Sequence, residues 1–329
     1  MSDYFTRVDF ENYGPIAKGS LTLTRLHALI GPNDSGKSST LRGLRYATTF
    51  AGTRVTAGDE DLRRPLFSLT LTRGEYSMTQ RVPEGGAESF DIKHGEKDLP
   101  SLPPAVRAAW VGARTLRLDP DAMRRGTPLL SDTAPLDFAN ERGLGLGSLL
   151  DAVFARNVQD YLSLESSLKE LFPSVAGFRL FTGADGREIG VRLVDGTEIR
   201  PQYLSEGMLY FLAFSLLPLL RPVSLLLIEE PENGLHPARI AEVMKVLRKV
   251  SAKTQVVLAT HSPLVINELH PDEVTVVTRS PEKGTIFKPI KEATNFDDRA
   301  KTYALGELWL NYADGKTEAP LFNGKGGTK

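Results

Sequence analysis

Four short stretches carry residue types that, at their spacing, can do chemistry on a phosphate. GPNDSGKS, Gly31 to Ser38, fits the pattern G-x-x-x-x-G-K-[ST]. The apolar run LHALI precedes it and SSTLRGLRYA follows, which predicts a glycine-rich turn between a strand and a helix. In such a turn backbone N–H groups curl around phosphate oxygens, and the helix N-terminus adds its dipole. The expected contacts are Gly31, Asn33, Ser35, Gly36, Lys37, Ser38 and Ser39, with Lys37 as a point charge at the terminal phosphates and the Ser38 hydroxyl on Mg²⁺. The second stretch is LLLIEEPENGLHP, Leu225 to Pro237, where a buried-type strand ends in two adjacent acids. Beside a phosphate loop, Glu229 is placed to hold Mg²⁺ and Glu230 to polarise an attacking water as general base. The third is LSEG, where Ser205 and Gly207 at a helix start are suited to an anion or to plain helix capping. The fourth is ATHSP, in which His261 follows the next buried strand and is expected at the same sheet edge, within reach of phosphate or water.

The elements that must position these residues are legible in outline. RVDFENYG and SLTLTRLHALI read as strands, and residues 66–83 alternate like a hairpin. Residues 84–103 are rich in Gly, Pro and charge and read as a loop. Residues 146–173 show helical spacing, enough for one or two amphipathic helices. IGVRLVDGTEIR predicts a hairpin turning at Asp195-Gly196. A helix over 205–219, the acidic strand, a helix over 237–251 and the strand QVVLAT follow. Beyond 280 the pattern is weak, ALGELWLNYADG (304–315) is apolar enough to pack on the core or dock a partner, and NGKGGTK is expected to be disordered. The sum is an α/β fold with a mostly parallel core sheet, an antiparallel β lobe and a helical lid insert. Its expected divisions fall at 1–85, 86–200, 201–281 and 282–329.

Composition bounds the partners. The 329 residues are 41% hydrophobic and 25% charged, an ordinary globular balance. Forty basic and forty-one acidic residues give a net charge of −1, so no global attraction to nucleic acid or anionic lipid is implied. Cysteine is absent, which excludes disulfides and thiol chemistry and suits a cytoplasmic protein. No apolar run reaches membrane-spanning length, and no membrane association is expected.

The four stretches, in this order and spacing, resemble the Walker A, signature, Walker B with D-loop, and switch-histidine motifs of ABC-type ATPases. EEPENGLHP and ATHSP are closest to the soluble branch, with the RecF/SMC-like proteins and the overcoming-lysogenization-defect ATPases, often grouped as AAA-type ATPases. RVDFENYGPI is similar to that branch's opening strand, and the resemblance covers residues 1–50 and 200–280. It implies ATP and Mg²⁺ as ligands and a homodimer or higher homo-oligomer built on an ATP sandwich. Ser205 and Gly207 would then reach the γ-phosphate held by the other subunit's Lys37, with His236 near the seam. Glu206 stands where transporter ATPases carry glycine, and Glu229 replaces their usual aspartate, so a transporter subunit is not implied. A Q-loop is not evident, Gln80 being the one candidate. There is no sustained heptad pattern for long coiled-coil arms, and no Toprim nuclease domain is expected in the 68 residues that follow His261 here.

Two functions follow from the resemblance. One is an ATPase that gates a separately encoded effector, a nuclease or toxin, in bacterial anti-phage defence. The alternative is a RecF-like repair or DNA-sensing ATPase that binds DNA itself, for which Arg107, Arg114, Arg117, Arg124 and Arg125 supply cations.

Overall fold

The computed structural model describes residues 3–50, 63–82, 89–280, 283–293, 296–300 and 304–312. The chain opens with strands β1 (Phe5–Tyr13), β2 (Ile16–Thr22) and β3 (Leu26–Ile30), then helix α1 (Lys37–Phe50). β4 (Arg63–Arg73), β5 (Tyr76–Val82), β6 (Ser89–His94) and β7 (Lys97–Leu99) precede α2 (Pro104–Trp110) and β8 (Ala113–Leu116). Helices α3 (Pro120–Arg124), α4 (Leu146–Arg156) and α5 (Val158–Leu171) lead to β9 (Val175–Gly183), β10 (Gly186–Leu193) and β11 (Glu198–Ile199). Then come α6 (Glu206–Leu216), β12 (Leu225–Glu229), α7 (Pro237–Ser251), β13 (Gln255–Thr260) and α8 (Pro263–Asn267). β14 (Val274–Ser280), β15 (Gly284–Pro289), α9 (Phe296–Arg299) and α10 (Leu305–Tyr312) close the described chain.

Two compact units result. The first draws on the described residues of Met1–Arg114, Val223–Pro231 and Ser251–Lys329, the second on Thr115–Pro222 and Glu232–Val250. They interleave along the chain, so they are a different partition from the linear one read off the sequence.

The first unit is organised by a sheet of order β7-β6-β5-β4-β1-β2-β15-β14-β3-β13-β12-β8, whose last strand runs on into the second unit. β14, β3, β13 and β12 pair in parallel. The strands from β7 to β2 pair antiparallel, and so do β15 and its neighbours. The parallel core and the antiparallel lobe are therefore one continuous mixed sheet, joined where Gly284 of β15 meets Ile16 of β2. β3 and β13 are buried at every position, as is β12 up to Glu229, which is why these strands read as unbroken apolar runs. β1 instead alternates, and register shifts against β4 at Phe5/Arg7 and Glu11/Tyr13 bring Phe5, Val8, Phe10 and Tyr13 into the core despite uneven spacing. Phe5 packs edge-on against Trp110 at 5.3 Å and Tyr13 against Phe67 at 5.3 Å. Each such ring contributes roughly 1.5–3 kcal/mol by burial. Gln255 clips β13 to β1: its Oε1 accepts from Phe5 N (2.9 Å) and its Nε2 donates to Phe5 O (2.8 Å) and Thr24 O (2.9 Å).

The stretch expected to be a loop over 84–103 holds a second hairpin, β6–β7, turning at Gly95 with φ +58°. Its polar, charged composition suits the solvated edge of the sheet rather than a loop. Residues 83–88 lie outside the described residues, as do the end of the 304–315 run and NGKGGTK. The described part of that run packs on α8, with Gly306 N donating to Asn267 Oδ1 at 2.7 Å and Leu308 buried.

The second unit carries the small antiparallel sheet β11-β10-β9 and the helices α3 to α6. Asp195-Gly196 turns β10 into β11, Gly196 having φ +88°. Residues 146–173 are two helices because Asn157 caps α5, its Oδ1 accepting from Gln159 N and Asp160 N. Among the described residues no helix is long and apolar enough to cross a membrane.

One residue inside β3 is not apolar. His27 is 2% exposed, with Nδ1 3.1 Å from Thr24 Oγ1 and Nε2 3.0 Å from Thr275 Oγ1. Burial lowers its pKa from 6.5 to about 4. Between those values the unfolded chain binds a proton that the folded chain refuses. The stability tied to neutral His27 is therefore complete above pH 6.5 and is lost as pH falls toward 4, on the order of 3 kcal/mol in all. Urea unfolding at pH 7 and pH 5 should show a larger loss for the wild type than for His27→Gln. Equal losses would show that His27 does not titrate this way.

Candidate functional site

Register sets the site. Ile30, the last residue of β3, is paired with Thr260, the last of β13, and Glu229, the last of β12, is paired with Ala259. The loop after Ile30, His261 after Thr260, and Glu229-Glu230 thus leave the sheet at one edge. The acids' strand is not hydrogen-bonded to β3, because β13 lies between them, with the histidine following its last residue. Glu230 N donates to Ala259 O at 2.8 Å, which carries the ladder one residue further. Glu230 then adopts φ +48°, a left-handed conformation rare for a non-glycine residue. Successive side chains of a strand point to opposite faces, and this break releases Glu230 from that alternation with Glu229. His261 Nδ1 lies 3.6 Å from Glu230 Oε1, so the second acid and the histidine are neighbours in space.

The loop from Gly31 to Ser38 has the turned backbone and the buried lysine that suit an anion. Lys37 is buried, and its Nζ donates to the carbonyls of Gly31 and Pro32 at 2.7 Å each. A Cβ at Gly31 would lie 2.1 Å from the Val277 carbonyl oxygen of β14, so only glycine fits there. Gly36 has φ +108° and Asp34 φ +64°, turning the chain tightly into α1. Thr40 N and Oγ1 both donate to Gly36 O at 2.9 Å and close the first helical turn, which has no acidic residue. Ser35 is 1% exposed, and among the described residues its Oγ has no hydrogen-bond partner. A buried hydroxyl without a partner inside a loop of turned backbone fits a phosphate oxygen. Ser38 and Glu229 are the residues that would hold a divalent ion at this edge, with phosphate oxygens needed to complete its shell. Among the described residues no group of three or more His, Asp or Glu is arranged to hold a metal alone.

Ser205 and Gly207 belong to the second unit. Ser205 is exposed and caps α6, its Oγ accepting from Met208 N at 3.3 Å. A Cβ at Gly207 would lie 3.2 Å from Gly234 O, and one at Gly234 (φ +68°) would lie 2.3 Å from the Tyr210 ring. The start of α6 and the turn that follows the acids are thus packed together within this unit. His236 caps α7, its Nδ1 accepting from Ala238 N at 3.2 Å, and remains exposed. Gln80 is fully buried in β5, opposite Leu69 and Phe90. The structure therefore gathers Gly31, Asn33, Ser35, Gly36, Lys37, Ser38, Ser39, Glu229, Glu230 and His261 in the first unit and holds Ser205 and Gly207 in the second. Sequence reasoning missed the contacts that β14 and β15 make on the loop, because neither strand carries a motif.

Residues 111–267 match the family described as "AAA domain, putative AbiEii toxin, Type IV TA system", and residues 4–49 match a second, described as "AAA domain". Among solved structures the chain resembles an SMC head bound to the C-winged helix domain of ScpA, with TM-score 0.60 and 15% identity over 87% of this chain and 97% of that one. It resembles the SMC head domain from Thermotoga maritima with TM-score 0.52 and 15% identity, covering 87% and 98%. It also resembles an SMC head domain with an extended coiled coil, bound to the C-terminal domain of ScpA from Pyrococcus furiosus, with TM-score 0.55 and 12% identity, covering 91% and 100%. At these identities the likeness is one of fold. No curated protein sequence matches the chain.

Gly31→Ala should weaken nucleoside triphosphate binding by at least about tenfold, since the obstructing atom is backbone of a buried strand and cannot step aside. Titration with a fluorescent triphosphate, with circular dichroism to confirm folding, reads this out. Wild-type affinity in the variant would show that the loop geometry is not what binds.

Proposed function

We propose that this chain is a P-loop ATPase of the ABC/SMC-like class, which binds ATP with Mg²⁺ at the edge where β3, β13 and β12 end, dimerises around the nucleotide and gates a separate effector. The observation that carries the reading is the register Ile30–Thr260 and Ala259–Glu229, with His261 3.6 Å from Glu230. Loop N–H groups, the Ser35 hydroxyl and Lys37 bind the phosphates and hold the triphosphate in line. Ser38 and Glu229 would hold Mg²⁺, which when bound supplies charge neutralisation at the β- and γ-oxygens. Glu230 accepts the proton of the attacking water, and His261 hydrogen-bonds the γ-phosphate or that water. The exposed Ser205 and the adjacent Gly207 serve the nucleotide of a second protomer, so that two half-sites complete each other.

The effector role is supported by the overcoming-lysogenization-defect-like motif set and by the matched family, whose description names a toxin of a type IV toxin–antitoxin system. On this reading the protein serves anti-phage defence, acts in the cytoplasm, and passes the closing of its dimer to a nuclease or toxin. Two of the SMC heads it resembles were solved with domains of a separate protein, ScpA, bound to them, and a separate partner is what we propose here.

Glu230→Gln should bind ATP normally, hydrolyse it about 10²–10⁴-fold more slowly and accumulate as a dimer in ATP and Mg²⁺. Steady-state phosphate release and light scattering read both effects, and wild-type turnover would remove Glu230 from the base role. Lys37→Ala should lose ATP binding. Affinity capture of tagged Glu230→Gln, expressed with its native flanking genes, should retain a stoichiometric protein partner. Recovery of DNA alone, released by salt, would favour the DNA-sensing alternative.

A further inference from the structure

The phosphate loop is braced from one side by residues outside every motif. β14 and β15 pair antiparallel, with Val277 opposite Phe287 and Arg279 opposite Thr285. Directly paired residues share a face of the hairpin. The hairpin meets the loop at three points. The Val277 carbonyl abuts Gly31. Arg279 Nη1 donates to Asp34 Oδ2 at 2.7 Å. Thr285, fully buried, donates through Oγ1 to the Ser35 carbonyl at 2.8 Å, and a Cβ at Gly36 would lie 2.3 Å from that same Oγ1. The hairpin is itself anchored, since Thr285 N donates to Pro15 O at 3.0 Å and Phe287 stacks on Phe10 at 5.7 Å.

We propose that Arg279 and Thr285 are positioning residues for nucleotide binding: the β14–β15 hairpin sets the backbone of residues 34–36 so that its N–H groups face the phosphates. This rests on the ATP-site reading above. The peptide between Ser35 and Gly36 is planar and trans, so its C=O and N–H point in opposite directions. Tying the Ser35 carbonyl to Thr285 therefore turns the Gly36 N–H away from β15 and into the loop. Arg279 does a second job. Asp34 occupies a left-handed position that Asp, Asn and Gly tolerate best, and its carboxylate is 87% exposed. Uncompensated, that charge repels a triphosphate at the loop, and the Arg279 guanidinium cancels it.

The test is the affinity for a fluorescent ATP analogue with Mg²⁺, together with KM and kcat, for the wild type and four variants. Thr285→Val keeps the shape and removes the hydroxyl, and should weaken binding roughly tenfold or more. Thr285→Ser keeps the hydroxyl and should bind within about twofold of wild type. Arg279→Ala should weaken binding by up to about fivefold. Arg279→Ala with Asp34→Asn should recover most of that loss, because Asn accepts the same backbone angle without the charge. In each weakened variant KM should rise with kcat nearly unchanged, whereas general destabilisation would lower the active fraction and hence kcat. Equal affinity for Thr285→Val and the wild type would overturn the brace. Failure of Asp34→Asn to rescue Arg279→Ala would overturn the charge role and mark Arg279 as a direct ligand of the nucleotide. Should Thr285→Val not fold, Thr285→Ala, which also removes the hydroxyl, is measured in its place, and wild-type affinity there overturns the brace equally. A wild type that binds no ATP would instead sink the site reading itself.

Discussion

The parallel pairing of β3, β13 and β12 is the constraint on which the site depends. Three strands distant in sequence end at one edge only because Ile30 pairs with Thr260 and Ala259 with Glu229. A slip of one residue would turn each strand's side chains to the other face and carry the loop, the histidine or the acids out of step. Burial on both faces makes such a slip expensive, since every position of β3 and β13 is buried. The core thus positions the candidate site indirectly, through register.

Around that frame the backbone is least regular where function is proposed. Among the described residues, positive φ outside glycine occurs at Asn12, Asp34 and Glu230, and the last two lie in the phosphate loop and at the second acid. Left-handed backbone costs about 1–2 kcal/mol at each such residue and persists where the surroundings over-determine it. Here the surroundings are visible. Asp34 is tied to Arg279, and Glu230 is tied by its own N–H to Ala259. The same logic appears in the second unit, where Gly234 adopts φ +68° against the Tyr210 ring and its carbonyl leaves Gly207 little room for a side chain.

Much of the candidate site's framework was legible in the sequence because its motifs are local. Gly31 to Ser38 needs only a strand before it and a helix after it, and the structure supplies both. Glu229, Glu230 and His261 sit at strand ends that announce themselves as apolar runs. The α/β class, the hairpin at Asp195-Gly196 and the cap at Ser205 follow from equally local signals. The β6–β7 hairpin escaped notice because an exposed edge strand has the polar composition of a loop.

What the tertiary structure alone decided concerns residues far apart in the chain. Sequence could say that β12 and β13 are buried, but not that β13 stands between β12 and β3. It could identify His27 as a polar residue in an apolar strand, but not that Thr24 and Thr275 would satisfy both ring nitrogens. Thr285 and Arg279 belong to no pattern, and they meet Ser35 and Asp34 only once β15, β14 and β3 lie side by side. Motif residues are legible because their chemistry depends on short-range geometry that the local chain already encodes. Bracing residues are not, because their contacts exist only after distant strands have paired.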